Sequence, residues 1–173
     1  MGSGQEITVL VVDDEPLLRI GLVNLIEQNN GFKVIGQAAD GDTAVELAVS
    51  LCPRLVLMDI HIPGMNGIEA TKRIKEERPE TRVLIVSAFD DDDDIVAAVA
   101  AGMDGYCLKS LSGDELIQAA RTVAFGGAWI NRQIAEKVMK AYGRLHASAA
   151  APPVESIDEP LLAANGEPGN ISE

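Results

Sequence analysis

The sequence has no apolar run of about 18 residues, the length a helix needs to cross a bilayer, so no transmembrane helix is expected. It also lacks a signal-peptide pattern, because strand-like residues begin almost at once at Ile7. Met1-Gly2-Ser3-Gly4 resembles an expression scar and takes no part in the fold argument. Cysteine is scarce. Cys52 and Cys107 provide neither a disulfide framework nor a zinc spacing, which leads one to expect two reduced, mostly buried thiols in a cytosolic protein. Positive charge is scarce too: 14 Lys and Arg stand against 27 Asp and Glu, a net charge of −13. A surface that acidic repels nucleic-acid phosphates and anionic membranes. Neither DNA nor a membrane is therefore expected as a direct partner of this chain alone. No internal repeat is visible.

What is present is a globular composition. Hydrophobic residues make up 47% of 173 positions, enough for one domain with an extension. Three short runs, Ile7–Val12, Leu55–Met58 and Val83–Val86, are almost wholly apolar and rich in β-branched residues. Continuous apolarity means burial on both faces, as in a parallel sheet covered by helices. Weaker runs at Lys33–Ala38 and Gly105–Leu108 complete five strands.

Helical patterns fill the gaps. Leu17, Leu18, Gly21, Leu22, Leu25 and Ile26 form one stripe behind Pro16, which suits a first helical turn. Asp42–Ser50 is a short helix ending before Pro53. Gly67–Glu77 turns Ile68, Thr71 and Ile74 inward. Ile95, Val96, Val99 and Ala100 precede a stop at Gly102, and Asp114–Ala124 carries Leu116, Ile117, Ala120 and Val123. The alternation predicts a doubly wound α/β sheet of flavodoxin-like strand order 2-1-3-4-5 with five helices. A further amphipathic helix, about Asn131 to Leu145, follows, with Ile134, Val138, Ala141 and Leu145 on one side. It must bury that stripe on the domain or against a second chain. The domain is thus read as residues 5–126, the linker helix as 127–146, and an acidic Pro/Gly/Ala-rich flexible tail as 147–173.

In such a sheet, function gathers at the carboxyl ends of the strands. The first strand delivers Asp13, Asp14 and Glu15, the third Asp59, the fourth Ser87 and Ala88, and the fifth Lys109. Three carboxylates in one pocket cannot all stay ionised without a counter-charge. A partly hydrated Mg²⁺ supplies one and suits the grip on a phosphoryl group. Lys109 can pair with a carboxylate and with a phosphoryl oxygen, and Ser87 can donate to another. A carboxylate so held can act as a nucleophile and form an acyl phosphate. Asp59 is the best candidate, because it ends the central strand alone ahead of a Pro-Gly loop. Taken singly, each of these residues is as well explained by a helix cap or a buried ion pair. Together, at four strand ends, they are not.

The five consecutive aspartates, Asp90 to Asp94, raise a separate question. They fall directly after the fourth strand and open the fourth helix. An N-cap Asp and carboxylates in the first turn favour the positive helix end, each by about 0.3–1 kcal/mol. This accounts for two or three, and the others are expected in solvent. A second metal site is not expected, since consecutive helical positions fan apart.

VVDDEP, LVLMDIHIPGMNGIEA, VLIVSAFDDD and AAGMDGYCLKS resemble the response-regulator receiver domain of two-component signalling. The resemblance runs from about Ile7 to Gly126, and GMDGYCLKS with the following GGxWI-type segment is similar to the NarL/FixJ branch. That resemblance implies Asp59 as phosphoacceptor and a histidine kinase as donor. It implies Mg²⁺ held by Asp14 and Asp59, by Asp13 mainly through water, and by the backbone carbonyl of His61. Lys109, Ser87 and Ala88 would bind the phosphoryl group, and Ser87 and Tyr106 would form a switch pair. The fourth helix, fifth strand and fifth helix would carry the signal, to an output domain or to a homodimer. The implied protein is a cytoplasmic bacterial regulator rather than a turnover enzyme.

The pattern departs in places. Ser110 stands where many receivers have Pro, so a cis Lys-Pro bond is not available. His61, by its side chain, and Phe89 occupy positions that shape access to the phosphoryl group and are expected to tune its lifetime. The residues after His146 are too few, too acidic and too rich in Pro and Gly for the LuxR-type helix-turn-helix usual in this branch. A stand-alone receiver acting through protein contacts is one alternative. A haloacid-dehalogenase-like phosphatase is a weaker one, because such enzymes need an Asp where His61 stands. A scaffold with a vestigial pocket is weaker still.

Overall fold

The structure is a computed structural model that describes residues 4–149. Residues 1–3 of the expected scar and residues 150–173 of the expected tail lie outside the described residues. The elements in chain order are β1 (Ile7–Val12), α1 (Pro16–Glu27), β2 (Phe32–Ala38), α2 (Gly41–Leu51), β3 (Leu55–Met58), α3 (Gly67–Glu77), β4 (Arg82–Ser87), α4 (Asp92–Ala100), β5 (Gly105–Leu108), α5 (Gly113–Ala124), β6 (Trp129–Ile130) and α6 (Arg132–Ala149). The sheet order is β2-β1-β3-β4-β5-β6, and every pair is parallel. The expected five-stranded core is therefore present, with one strand added at its edge. β6 pairs Trp129 with Gly105 and Ile130 with Tyr106. Two residues are too few for an alternation pattern, so only the partner strand reveals it.

Continuously apolar strands divide their side chains between two cores by simple alternation. Leu10, Val12, Val56, Met58, Val83, Ile85 and Tyr106 face α2, α3, α4 and α6. Val9, Val11, Leu55, Leu57, Leu84, Val86 and Cys107 face α1 and α5. Leu116, Ile117, Ala120 and Val123 of α5 are all buried, as their spacing requires. The α1 stripe is different. Ile26 is buried, but Leu17 is 79% exposed, and Leu18 and Gly21 are exposed as well. Only the C-terminal half of α1 reaches the core, so its first turns present apolar side chains to solvent at the carboxyl edge.

α6 starts at Arg132, where the Asn131 side chain accepts from the Ile134 N–H at 2.8 Å as an N-cap. It continues to Ala149, three residues into the segment read as tail. Its stripe does bury on the domain: Ile134 is fully buried, and Val138 packs beside it against the α4 side. The side chain of Leu145, the last member of the stripe, lies outside the described residues. Cys107 is buried, and burial pushes its thiol up to about 12. Cys52 corrects the expectation of two buried thiols. It is exposed at the C-cap of α2, with φ 49° in the left-handed region.

Two glycines bring the loops at the carboxyl edge together. A Cβ on Gly67 would lie 1.9 Å from the Asp59 carbonyl oxygen, and one on Gly41 would lie 2.0 Å from that of Met65. Only a residue without a side chain lets α2 and α3 begin so close to the β3–α3 loop.

Candidate functional site

Three strands carry their ladders one residue past their ends, and the site is built on those residues. The Asp13 N–H donates to Ala38 O at 3.1 Å, the Asp59 N–H to Val12 O at 3.0 Å, and the Lys109 N–H to Ser87 O at 2.8 Å. These bonds hold each backbone rigid where its side chain enters the pocket. Asp13 is fully buried, Asp59 is 5% exposed and Asp14 is exposed. Each offers one carboxylate oxygen, and the three lie within 4.8 Å of one another.

Lys109 supplies the only ammonium in this cluster, 2.9 Å from Asp13 Oδ2 and 2.9 Å from Asp59 Oδ2. It hydrogen-bonds Asp59. Toward Asp13 it supplies charge without good donor geometry, and Asp13 Oδ2 is a buried oxygen with no hydrogen-bond partner. One cation against three carboxylates leaves the pocket negative. An orphaned oxygen beside two further carboxylate oxygens fits a hard divalent cation. The electrostatics agree. Burial holds the Asp59 carboxyl above its usual value, against the opposing pull of the Lys109 hydrogen bond and charge. Burial alone would lower the Lys109 ammonium, but the two carboxylates beside it, Asp13 and Asp59, outweigh that and hold it above its ordinary value.

Other expected residues surround this pair. Ser87 is fully buried at the end of β4, and its Oγ accepts from the Phe89 N–H at 3.2 Å. Ala88 follows it, exposed. Tyr106 is 1% exposed, and its hydroxyl donates to Phe89 O at 2.7 Å. The Tyr106 ring therefore points inward, and burial raises its phenol above the usual value. The His61 backbone N–H is directed at the Asp59 carboxylate. Its side chain reaches the other way: Nε2 is 3.1 Å from Asp94 Oδ2, and the ring meets Phe89 edge-on at 5.6 Å. His61, Phe89, Asp90, Asp91 and Asp94 line a recess of about 560 Å³ beside the carboxylate cluster.

The five aspartates thus have more partners than expected. Asp91 is the N-cap, accepting from the N–H groups of Asp93 and Asp94 at 2.9 and 3.4 Å. Asp94 reaches His61. Asp90 and Asp92 hold Lys137 of α6 at 3.3 and 2.8 Å. Sequence reasoning missed Lys137, Gln133 and Asp94. The available signal was a lone Lys one turn before Ala141 on the buried side of α6, opposite a run of uncompensated acids. Arg19 was missed as well; it donates to the Asp13 carbonyl at 2.6 Å from α1.

An open parallel sheet with three carboxylates and one ammonium gathered at its carboxyl edge defines a flavodoxin-like α/β domain with an acidic pocket that could hold a cation. Residues 9–121 match the response regulator receiver domain, and the chain belongs to that family. It is 36% identical over 140 residues to the transcriptional regulatory protein DegU of Brevibacillus brevis, covering 81% of this chain and 59% of that protein. It is 36% identical over 126 residues to the nitrate/nitrite response regulator protein NarL of Escherichia coli K12, covering 73% of this chain and 58% of NarL. The chain therefore spans less than two thirds of the length of these curated relatives. Among solved structures, a LuxR-family two-component response regulator from Aurantimonas superposes with a TM-score of 0.74 at 33% identity, covering 80% of this chain and 99% of that one. The receiver domain of the putative NarL of Mycobacterium tuberculosis follows the same path, with a TM-score of 0.68 at 33% identity, over 70% and 98% of the two chains. The expected kinship with the NarL branch is borne out. Among the described residues no helix is long and apolar enough to cross a membrane.

Proposed function

We propose that this receiver takes a phosphoryl group onto Asp59 from a phosphohistidine of a histidine kinase. An Asp59 carboxylate oxygen attacks phosphorus, the P–N bond breaks, and the electron pair leaves on the imidazole, which takes up a proton. The product is an acyl phosphate. The observation that supports this most directly is the ion cluster: Asp13, Asp14 and Asp59 around one pocket, with Lys109 at 2.9 Å from two of them. Mg²⁺ would be held by Asp14 and Asp59, by Asp13 through water, and by the His61 carbonyl, and would neutralise the charge that gathers as phosphorus is attacked. Lys109 then exchanges part of its contact with Asp59 for a phosphoryl oxygen. The Ser87 hydroxyl and the Ala88 N–H donate to others. Ser87 gives up its bond from Phe89 to do so, which alters the loop that Tyr106 also holds. The consequence is a changed α4–β5–α5 surface, read in the cytoplasm by an output domain or a second copy. The reaction is stoichiometric, with self-dephosphorylation returning the resting state, rather than a catalytic cycle.

Incubation with acetyl phosphate and Mg²⁺ is expected to add one phosphoryl group by intact mass, and Asp59→Asn or EDTA to abolish it. Label persisting in Asp59→Asn overturns the assignment. The same substitution removes a buried charge while Asp13 keeps Lys109, so it is expected to stabilise the fold by about 1 kcal/mol, or roughly 2–4 °C in Tm. His61 and Phe89 flank the opening between the β3 and β4 loops. His61→Ala and Phe89→Ala are each expected to change the half-life of the acyl phosphate severalfold. Unchanged dephosphorylation rates in both would remove them from that role.

A further inference from the structure

The α4 face of the domain is occupied by the chain's own α6, and the contact falls on the segment that the switch pair uses. Lys137 Nζ reaches the Asp90 carbonyl as well as the carboxylates of Asp90 and Asp92, and Gln133 donates to Asp90 Oδ2 at 2.6 Å. Asp90 is the residue after Phe89, whose carbonyl accepts the Tyr106 hydroxyl and whose N–H donates to Ser87. Ile134, fully buried, joins the packed cluster that contains Tyr106, Ile95 and Ala98. α6 therefore fixes the backbone that holds the tyrosine hydroxyl from one side and packs into the core around the ring from the other. The Tyr106 ring is inward, 1% exposed.

We propose that docked α6 is the built-in clamp of the switch: through Lys137 and Ile134 it holds the β4–α4 loop and Tyr106 in the inward arrangement and so favours phosphorylation of Asp59. Lys137, Gln133 and Ile134 are positioning residues, since none reaches the carboxylate cluster. The proposal rests on the reading of Asp59 as phosphoacceptor. Coupling of this kind is reciprocal. If docked α6 favours the phosphorylated domain, phosphorylation tightens α6 by the same factor. The α4 side of the signalling surface is then presented with α6 on it, and a partner must bind α6 together with α4 or displace it.

The chain has two tyrosines, so Tyr142→Phe leaves Tyr106 as the sole site for 3-fluorotyrosine. In this background the full chain should show one ¹⁹F resonance of a buried ring. Lys137→Glu, which sets a third carboxylate against Asp90 and Asp92, should move that resonance toward the solvent-exposed position. It should raise the acetyl phosphate needed for half-phosphorylation in Mg²⁺ about fivefold, the low end of ordinary allosteric coupling. Ile134→Ala should act in the same direction, and Lys137→Arg should stay within about twofold of the parent, as a retained charge at the same place requires. An unmoved resonance with unchanged half-phosphorylation in Lys137→Glu overturns the proposal. So does a lower requirement for donor, which would make α6 an inhibitor. A parent chain that takes no phosphoryl group overturns the reading of Asp59 instead, and the resonance alone then decides whether α6 clamps the ring.

Discussion

Gly67→Ala is expected to cost the domain about 3 kcal/mol or more and to disable the site with it. The new methyl would sit 1.9 Å from the Asp59 carbonyl oxygen and 2.9 Å from the Ile60 Cα, both backbone atoms that no rotamer change can move aside. Either α3 shifts away from the β3–α3 loop or the loop shifts, and overpacking of this kind falls among the large destabilisations. Because the obstructed carbonyl belongs to Asp59 itself, the loss should appear in two measurements. The urea midpoint should fall, and phosphorylation by acetyl phosphate should fall further than the residual folded fraction explains. Gly21→Ala is the control. It lies inside α1, a Cβ there meets nothing within 4 Å, and the change should stabilise by about 0.5–1 kcal/mol. A Gly67→Ala protein as stable as the parent would mean that the close approach of α3 to β3 is dispensable.

Lys109→Met is the second large effect. Lys109 is 18% exposed and lies between two carboxylates that are nearly sealed from water. Removing one partner of a buried ionic cluster leaves uncompensated charge, which costs about 3–5 kcal/mol. The pH dependence follows from Asp59. Burial already holds its folded-state carboxyl above the ordinary value, and losing Lys109 takes away the bond and charge that oppose this. A group with a raised folded value binds more protons folded than unfolded. The stability it contributes is present below the unfolded value and lost as pH rises through the folded one. Lys109→Met should therefore unfold more readily as pH climbs through and above the carboxylate range, with the deficit smallest in acid. Mg²⁺ should restore about 2.7 kcal/mol at one hundred times its dissociation constant. Denaturation midpoints across pH, with and without Mg²⁺, test both statements. A pH-independent deficit would show that the carboxylates are not what Lys109 compensates.

Much of this is legible in the sequence alone. Strands buried on both faces write themselves as short β-branched runs, and the residues just past them are where such a sheet works. Asp13, Asp59, Ser87 and Lys109 could therefore be gathered from four distant segments. Three features resisted. β6 exists through its pairing with β5 and is too short to have a period. The apolar first turns of α1 obey the same spacing as a core helix, but Leu17 is exposed because the helix outruns the surface it packs on. The acidic run looked solvated because its counter-charge, Lys137, lies 45 residues beyond Asp92. Periodicity shows that a helix has a buried side, but which neighbour covers it is a tertiary fact.

The contrast between the two thiols has a practical consequence. Cys107, with its thiol pushed up to about 12 and its side chain in the core, is in effect closed to alkylating reagents. Cys52 is exposed beside β3 at the amino edge of the sheet, the opposite end from Asp59. A maleimide dye should therefore label the native protein once, far from the chemistry. That supplies a ready optical handle for testing whether this receiver meets the proposed kinase.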